Sequence, residues 1–151
     1  MSLYQFIACD NELPELFSNK KRLHNGEMER IFNFVEDDTD LEILCPMDYY
    51  DDIPYYTNKK HIYSLEWVDS DDNCKRLWQY LRDIHRDDME IEIWSISLCD
   101  YIRLENEILS KLNKSIRVYC PMNKLSMDIL KVSVECVDTP KVLIIKQSSV
   151  R

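Results

Sequence analysis

Three histidines, six cysteines and several closely spaced carboxylates are the groups in this 151-residue chain that could carry chemistry. His24, His61 and His85 are isolated from one another, and no His-x-x-x-His or His-Glu-x-x-His spacing sets two imidazoles on one helical face. The cysteines at 9, 45, 74, 99, 120 and 136 form no Cys-x-x-Cys pair, and none has a histidine at ligand spacing. They read as reduced, buried hydrophobes, and neither a metal nor a cofactor is expected. Asp69-x-Asp71-x-Asn73 opens like a calcium loop, but Cys74 stands where the loop needs glycine and Tyr80 where it needs a bidentate glutamate. Helix capping accounts better for those acids. Glu90 and Glu92 fall on one face of a predicted strand about 7 Å apart, which suits two-carboxylate glycoside chemistry. The alternative is a solvated strand edge. His85, at the end of a predicted helix, is placed where the helix dipole favours a cation.

The glycine count removes whole enzyme classes. At the usual frequency of about 7% a chain of this length would carry roughly ten glycines, and Gly26 stands alone. A Walker loop and a nucleophile elbow each need at least two and a dinucleotide fingerprint three, because backbone must approach a phosphate or turn at positive φ. None of these motifs is present.

Charge is the informative property. The net charge is −9, and it is uneven: residues 1–75 carry 17 acids against 7 bases, whereas residues 76–151 carry 11 against 12. Residues 31–58 contain no Lys or Arg and carry Glu36, Asp37, Asp38, Asp40, Glu42, Asp48, Asp51 and Asp52. Tyr49, Tyr50, Tyr55 and Tyr56 interleave with the last of these, in Asp48-Tyr-Tyr-Asp-Asp-Ile-Pro-Tyr-Tyr56. Tyrosine supplies large contact area at low entropic cost and keeps a hydroxyl for hydrogen bonding. Carboxylates around it imitate a phosphate backbone. An acidic surface repels nucleic acid and anionic lipid and steers basic partners inward, so neither nucleic acid nor membrane is an expected partner. In the alternative reading the tyrosines pack inward and the acids form a solvated loop.

The segment Asp48–Tyr56 resembles the toxin-binding surface of bacterial immunity proteins that inhibit nuclease toxins, in which a Tyr-Tyr pair stands among acids. The likeness covers nine residues and is one of residue types. Small size, acidity and the lack of catalytic motifs agree with it. The function expected is that of a non-enzymatic binding module, an immunity or inhibitor protein that neutralises a basic partner such as a toxin or nuclease. Asp48, Tyr49, Tyr50, Asp51, Asp52, Tyr55 and Tyr56 would make the contact, with Glu36, Asp37, Asp38 and Asp40 as a secondary acidic patch. Two alternatives stay open: a small enzyme using Glu90, Glu92, Asp100 and His85, and a structural or regulatory subunit.

The elements that must position these residues follow from periodicity. Leu3–Cys9 has apolar residues on both faces, as a strand inside a sheet does. Asn11–Glu27 reads as a long loop, and Glu29–Val35 with Leu41–Cys45 as a hairpin around Asp37–Asp40. Lys60–Val68 alternates with Tyr63, Leu65 and Trp67 on one side. A helix capped at Asp69 or Ser70 runs to about Arg86, with Cys74, Leu77, Trp78, Leu81 and Ile84 on one stripe. Glu90–Leu98 is a strand either buried on both sides or bulged. Asp100–Asn113 reads as a second helix, Ser115–Cys120 as a short strand and Ser126–Leu130 as one helical turn. Lys131–Val137 and Lys141–Lys146 read as strands joined at Asp138-Thr-Pro140. The expected fold is a single α+β domain over 1–151, with a largely antiparallel sheet of six to seven strands and two main helices. The apolar N-terminal run lacks a basic leader and stops at Asp10, which predicts a cytoplasmic protein.

Overall fold

A computed structural model describes residues 2–17, 41–44, 56–67, 70–98, 115–132 and 140–147. Among them lies one six-stranded, mostly antiparallel sheet with two helices, an α+β arrangement. The strands are β1 (Ser2–Cys9), β2 (Glu42–Leu44), β3 (His61–Glu66), β4 (Ile91–Leu98), β5 (Ile116–Pro121) and β6 (Lys141–Lys146). The helices are α1 (Asp71–Ile84) and α2 (Met127–Val132). The sheet order is β2-β3-β1-β4-β6-β5. None of the described helices is long and apolar enough to cross a membrane.

β1 and β4 lie at the centre because their side chains are apolar on both faces. They pair antiparallel from Ser2↔Leu98 to Ala8↔Glu92 without a break in register. That continuity excludes a bulge in β4, so the strand is buried on both sides. On the helical side Ile7, Tyr63, Leu65, Ile91, Ile93 and Ile145 pack with Leu77 and Leu81 of α1 and Leu130 of α2. The opposite face gathers Phe6, Ala8, Ile62, Trp94, Ile96, Val142 and Ile144, with Tyr56 laid on them. Phe6 and Trp94 stack with ring centroids 6.0 Å apart, within the range where aromatic pairs add to simple burial.

α1 begins where the Ser70 side chain accepts the Asn73 backbone N–H, and Asp71 and Asp72 meet the positive end of its dipole. It is fixed to α2 by an ion pair between Asp71 and Lys131. The Trp78 indole donates to the Leu125 carbonyl at 3.0 Å. Tyrosines hold the chain after β1: the Tyr63 hydroxyl accepts the Leu13 N–H, and the Tyr80 hydroxyl donates to the Pro14 carbonyl.

Ile43 exchanges both backbone hydrogen bonds with Leu16 and faces Leu65 of β3 on its other side. Both edges of Ile43 are therefore taken by described residues. One expected pairing is corrected, that of 131–137 with β6. β6 is flanked by β4 and β5, which leaves no edge for a strand from 131–137. The chain remains helical through Val132 because Ser126 caps α2 by accepting the Ile129 N–H. β5 runs parallel to β6, as a connection through a helix permits and a tight turn does not. The predicted strand 29–35 and helix 100–113 lie outside the described residues.

Candidate functional site

Of the residues the sequence nominates, Asp48, Tyr49, Tyr50, Asp51, Asp52 and Tyr55, and the patch Glu36, Asp37, Asp38 and Asp40, lie outside the described residues. Tyr56 is described, and it is a core residue: 5% exposed, with its ring tilted on Trp94 at 5.7 Å between centroids. Its neighbour Thr57 is buried as well and donates from its hydroxyl to Glu92 Oε1 at 2.7 Å. The same carboxylate oxygen accepts the Trp94 indole N–H at 2.8 Å.

Glu92 needs those donors. It projects from a strand buried on both faces and is only 8% exposed, and a carboxylate taken out of water is tolerated when hydrogen bonds replace its hydration. Thr57 and Trp94 supply them. This arrangement ties the chain that leaves the acidic segment to the middle of the sheet. Tyr56 contributes packing, Thr57 a charge-assisted bond, and Trp94 contact with both the Tyr56 ring and the Glu92 carboxylate.

A second polar cluster adjoins the anchor. Lys59 Nζ lies 3.1 Å from Glu90 Oε1 and 3.6 Å from Asp10 Oδ2. Burial alone would lower the Lys59 pKa, but the hydrogen bond and charge of Glu90, with Asp10 and Glu92 behind it, outweigh burial and raise it. Lys59 therefore stays cationic between two acids. The two glutamates weighed as a carboxylate pair thus have different partners: Glu90 holds Lys59, whereas Glu92 is occupied by Thr57 and Trp94. His85 is equally committed. Its backbone N–H closes α1 on Leu81, and its Nε2 lies 3.1 Å from the Met89 carbonyl oxygen.

Among the described residues no group of three or more His, Cys, Asp or Glu side chains is placed to hold a metal ion. Cys9, Cys74 and Cys120 are buried thiols outside any disulfide. Burial pushes the thiols of Cys9 and Cys120 above their ordinary value, which makes them weak nucleophiles at neutral pH. Sequence reasoning misses Thr57, Trp94 and Lys59 as a unit. The available signal is Glu92 itself, a carboxylate between isoleucines in a strand apolar on both faces, where a buried partner is required. Compared with protein-family models, characterised proteins and solved structures, the chain finds no match.

Proposed function

We propose that this chain is a non-enzymatic protein-binding module, an immunity or inhibitor protein that neutralises a basic partner through its acidic, tyrosine-rich segment. The observation that carries the reading is the run of eight carboxylates across residues 31–58 without one Lys or Arg, interleaved with tyrosines at its C-terminal end. Such a run concentrates negative potential, which steers a basic partner toward association rates of about 10⁸–10⁹ M⁻¹s⁻¹ at low salt. The buried Tyr56 ring and the Thr57–Glu92 bond support the reading from the structural side. A recognition segment fixed at one flank loses less entropy on binding.

In this reading Tyr56 is the anchor, and Asp48, Tyr49, Tyr50, Asp51, Asp52 and Tyr55 meet the partner. The tyrosines fill pockets at the centre of the contact, and the aspartates pair with Lys or Arg. Glu36, Asp37, Asp38 and Asp40 add to the long-range field and govern on-rate more than off-rate. Titration calorimetry on the captured partner tests the assignment. Tyr50→Ala and Asp51→Ala are each expected to weaken binding by at least about 1 kcal/mol, roughly fivefold in Kd. If both variants bind as tightly as the wild type, the site is wrongly assigned.

A further inference from the structure

The strand β5 is an edge of a different character from the rest of the molecule. At the opposite end of the sheet, Leu16 bridges Ile43 of β2 through both backbone hydrogen bonds. Beyond β5 no described strand lies. Three of the four exposed large hydrophobic side chains among the described residues sit on it: Ile116, Val118 and Tyr119, at 44%, 40% and 56% exposure. Natural sheets usually guard such an edge.

The direction of its free backbone groups follows from register. In the parallel ladder Ile116 faces Lys141, and the Ile116 N–H donates to the Pro140 carbonyl. Alternation along the strand then turns the N–H and C=O of Val118 and Cys120 toward β6 as well. Those of Arg117 and Tyr119 point away from the sheet. Two residues two apart, each offering one donor and one acceptor, match the repeat of an antiparallel ladder.

The side chains at this edge divide by face. Arg117 lies 5.9 Å over the Trp94 ring, and Lys146 Nζ lies 4.5 Å over the Tyr119 ring, so both cations are on the Trp94 face. Ile116 and Val118 share the other face with Cys120. Lys146 stands beside Tyr119 at the edge, whereas the Arg117 guanidinium leans inward across β6 to Trp94 of β4.

We infer that β5 is a docking edge for an extended strand of a partner protein in which acidic and aliphatic residues alternate. The partner's acidic residues lie opposite Arg117 and Tyr119, in the hydrogen-bonded pairs, where they meet Lys146 beside Tyr119 and draw the Arg117 guanidinium outward from Trp94. Its aliphatic residues lie opposite Ile116 and Val118 and cover them. A second copy of this chain fits less well, because self-pairing brings Arg117 and Lys146 of both copies to one interface. This strand-addition surface is separate from the acidic segment and does not depend on the function proposed for it.

The test uses the full chain, labelled with nitrogen-15, and two heptapeptide probes that alternate valine with either glutamate or lysine. The glutamate peptide is expected to shift the amide signals of Arg117 and Tyr119, slow their hydrogen exchange, and bind at least about tenfold more tightly than the lysine peptide. Val118→Lys, at an exposed position, is expected to abolish binding with the thermal transition retained. Arg117→Glu is expected to reverse the preference between the two peptides. Equal binding of the peptides, or shifts confined to other amides, would overturn the inference. So would a dimer of the free chain in sedimentation that Val118→Lys dissociates, since the edge would then belong to a second copy.

Discussion

The bond between Thr57 and Glu92 allows a quantitative forecast. Thr57→Val keeps the shape of the side chain and removes the hydroxyl that donates to Glu92 Oε1 at 2.7 Å. A hydrogen bond to a charged group contributes about 1.5–3 kcal/mol, and its loss here leaves a buried carboxylate held by the Trp94 indole alone. The expected destabilisation is therefore about 2 kcal/mol, a fall in Tm of roughly 4–8 °C for a domain of this size. In a Glu92→Leu background the threonine hydroxyl has lost its acceptor, so Thr57→Val should cost about zero or restore stability. Urea unfolding followed by tryptophan fluorescence on the four proteins of the cycle gives the coupling energy, expected at about 1.5–3 kcal/mol. A coupling below about 0.5 kcal/mol, the scatter for independent sites, would show that Thr57 and Glu92 do not act as a unit and would remove the anchor.

Further outcomes follow from the same structure. Ser70→Ala removes the cap of α1 and should cost about 1 kcal/mol in the same unfolding assay, whereas Ser70→Asp should retain most of the stability. Stability should decline on the alkaline side. The Cys9 and Cys120 thiols are raised by burial above the ordinary value of 9.0, and the Tyr80 hydroxyl is raised by burial as well. Lys59 is raised by its acidic neighbours over the opposing effect of burial. In each case the folded form holds its proton more tightly than the unfolded chain. The stability is therefore complete below the unfolded values and lost as pH rises through the folded ones, starting near pH 9 for the thiols. The slope is at most about 1.4 kcal/mol per pH unit per proton. Thermal melts between about pH 7 and pH 11 check this, and a Tm constant across that range would contradict it.

The elements are more legible in the sequence than their pairing. α1 can be read because its apolar stripe and Ser70 cap agree, and β1 and β4 because residues apolar on both faces must lie inside a sheet. The hairpin expected at β6 fails because nearness in sequence does not make strands neighbours in the sheet. Burial decides instead. Val142, Leu143, Ile144 and Ile145 are apolar and buried on both faces, which suits an interior strand, and β4 and β5 hold its two edges. Lys131 reads equally well in a strand or a helix until its ion pair with Asp71, 60 residues away, is visible. The site shows the same division. A tyrosine among acids has the composition of a contact surface, yet Tyr56 is drawn inward by Trp94, and Thr57 by Glu92, 35 residues along the chain. No local pattern reveals such partners; only the presence of a carboxylate in a doubly buried strand shows that some must exist.

The measurement that bears most directly on the proposed function is affinity capture from the native host with two baits. One is the wild-type chain, and the other has Asp48, Asp51 and Asp52 changed to asparagine. Both are washed at low and then high salt, and the eluates are identified by mass spectrometry. The expected result is one basic protein, held stoichiometrically by the wild type, released by salt because the contact is partly screened charge, and missing from the neutralised bait. A partner retained equally by both folded baits, or no protein specific to the wild type, would contradict the proposed function.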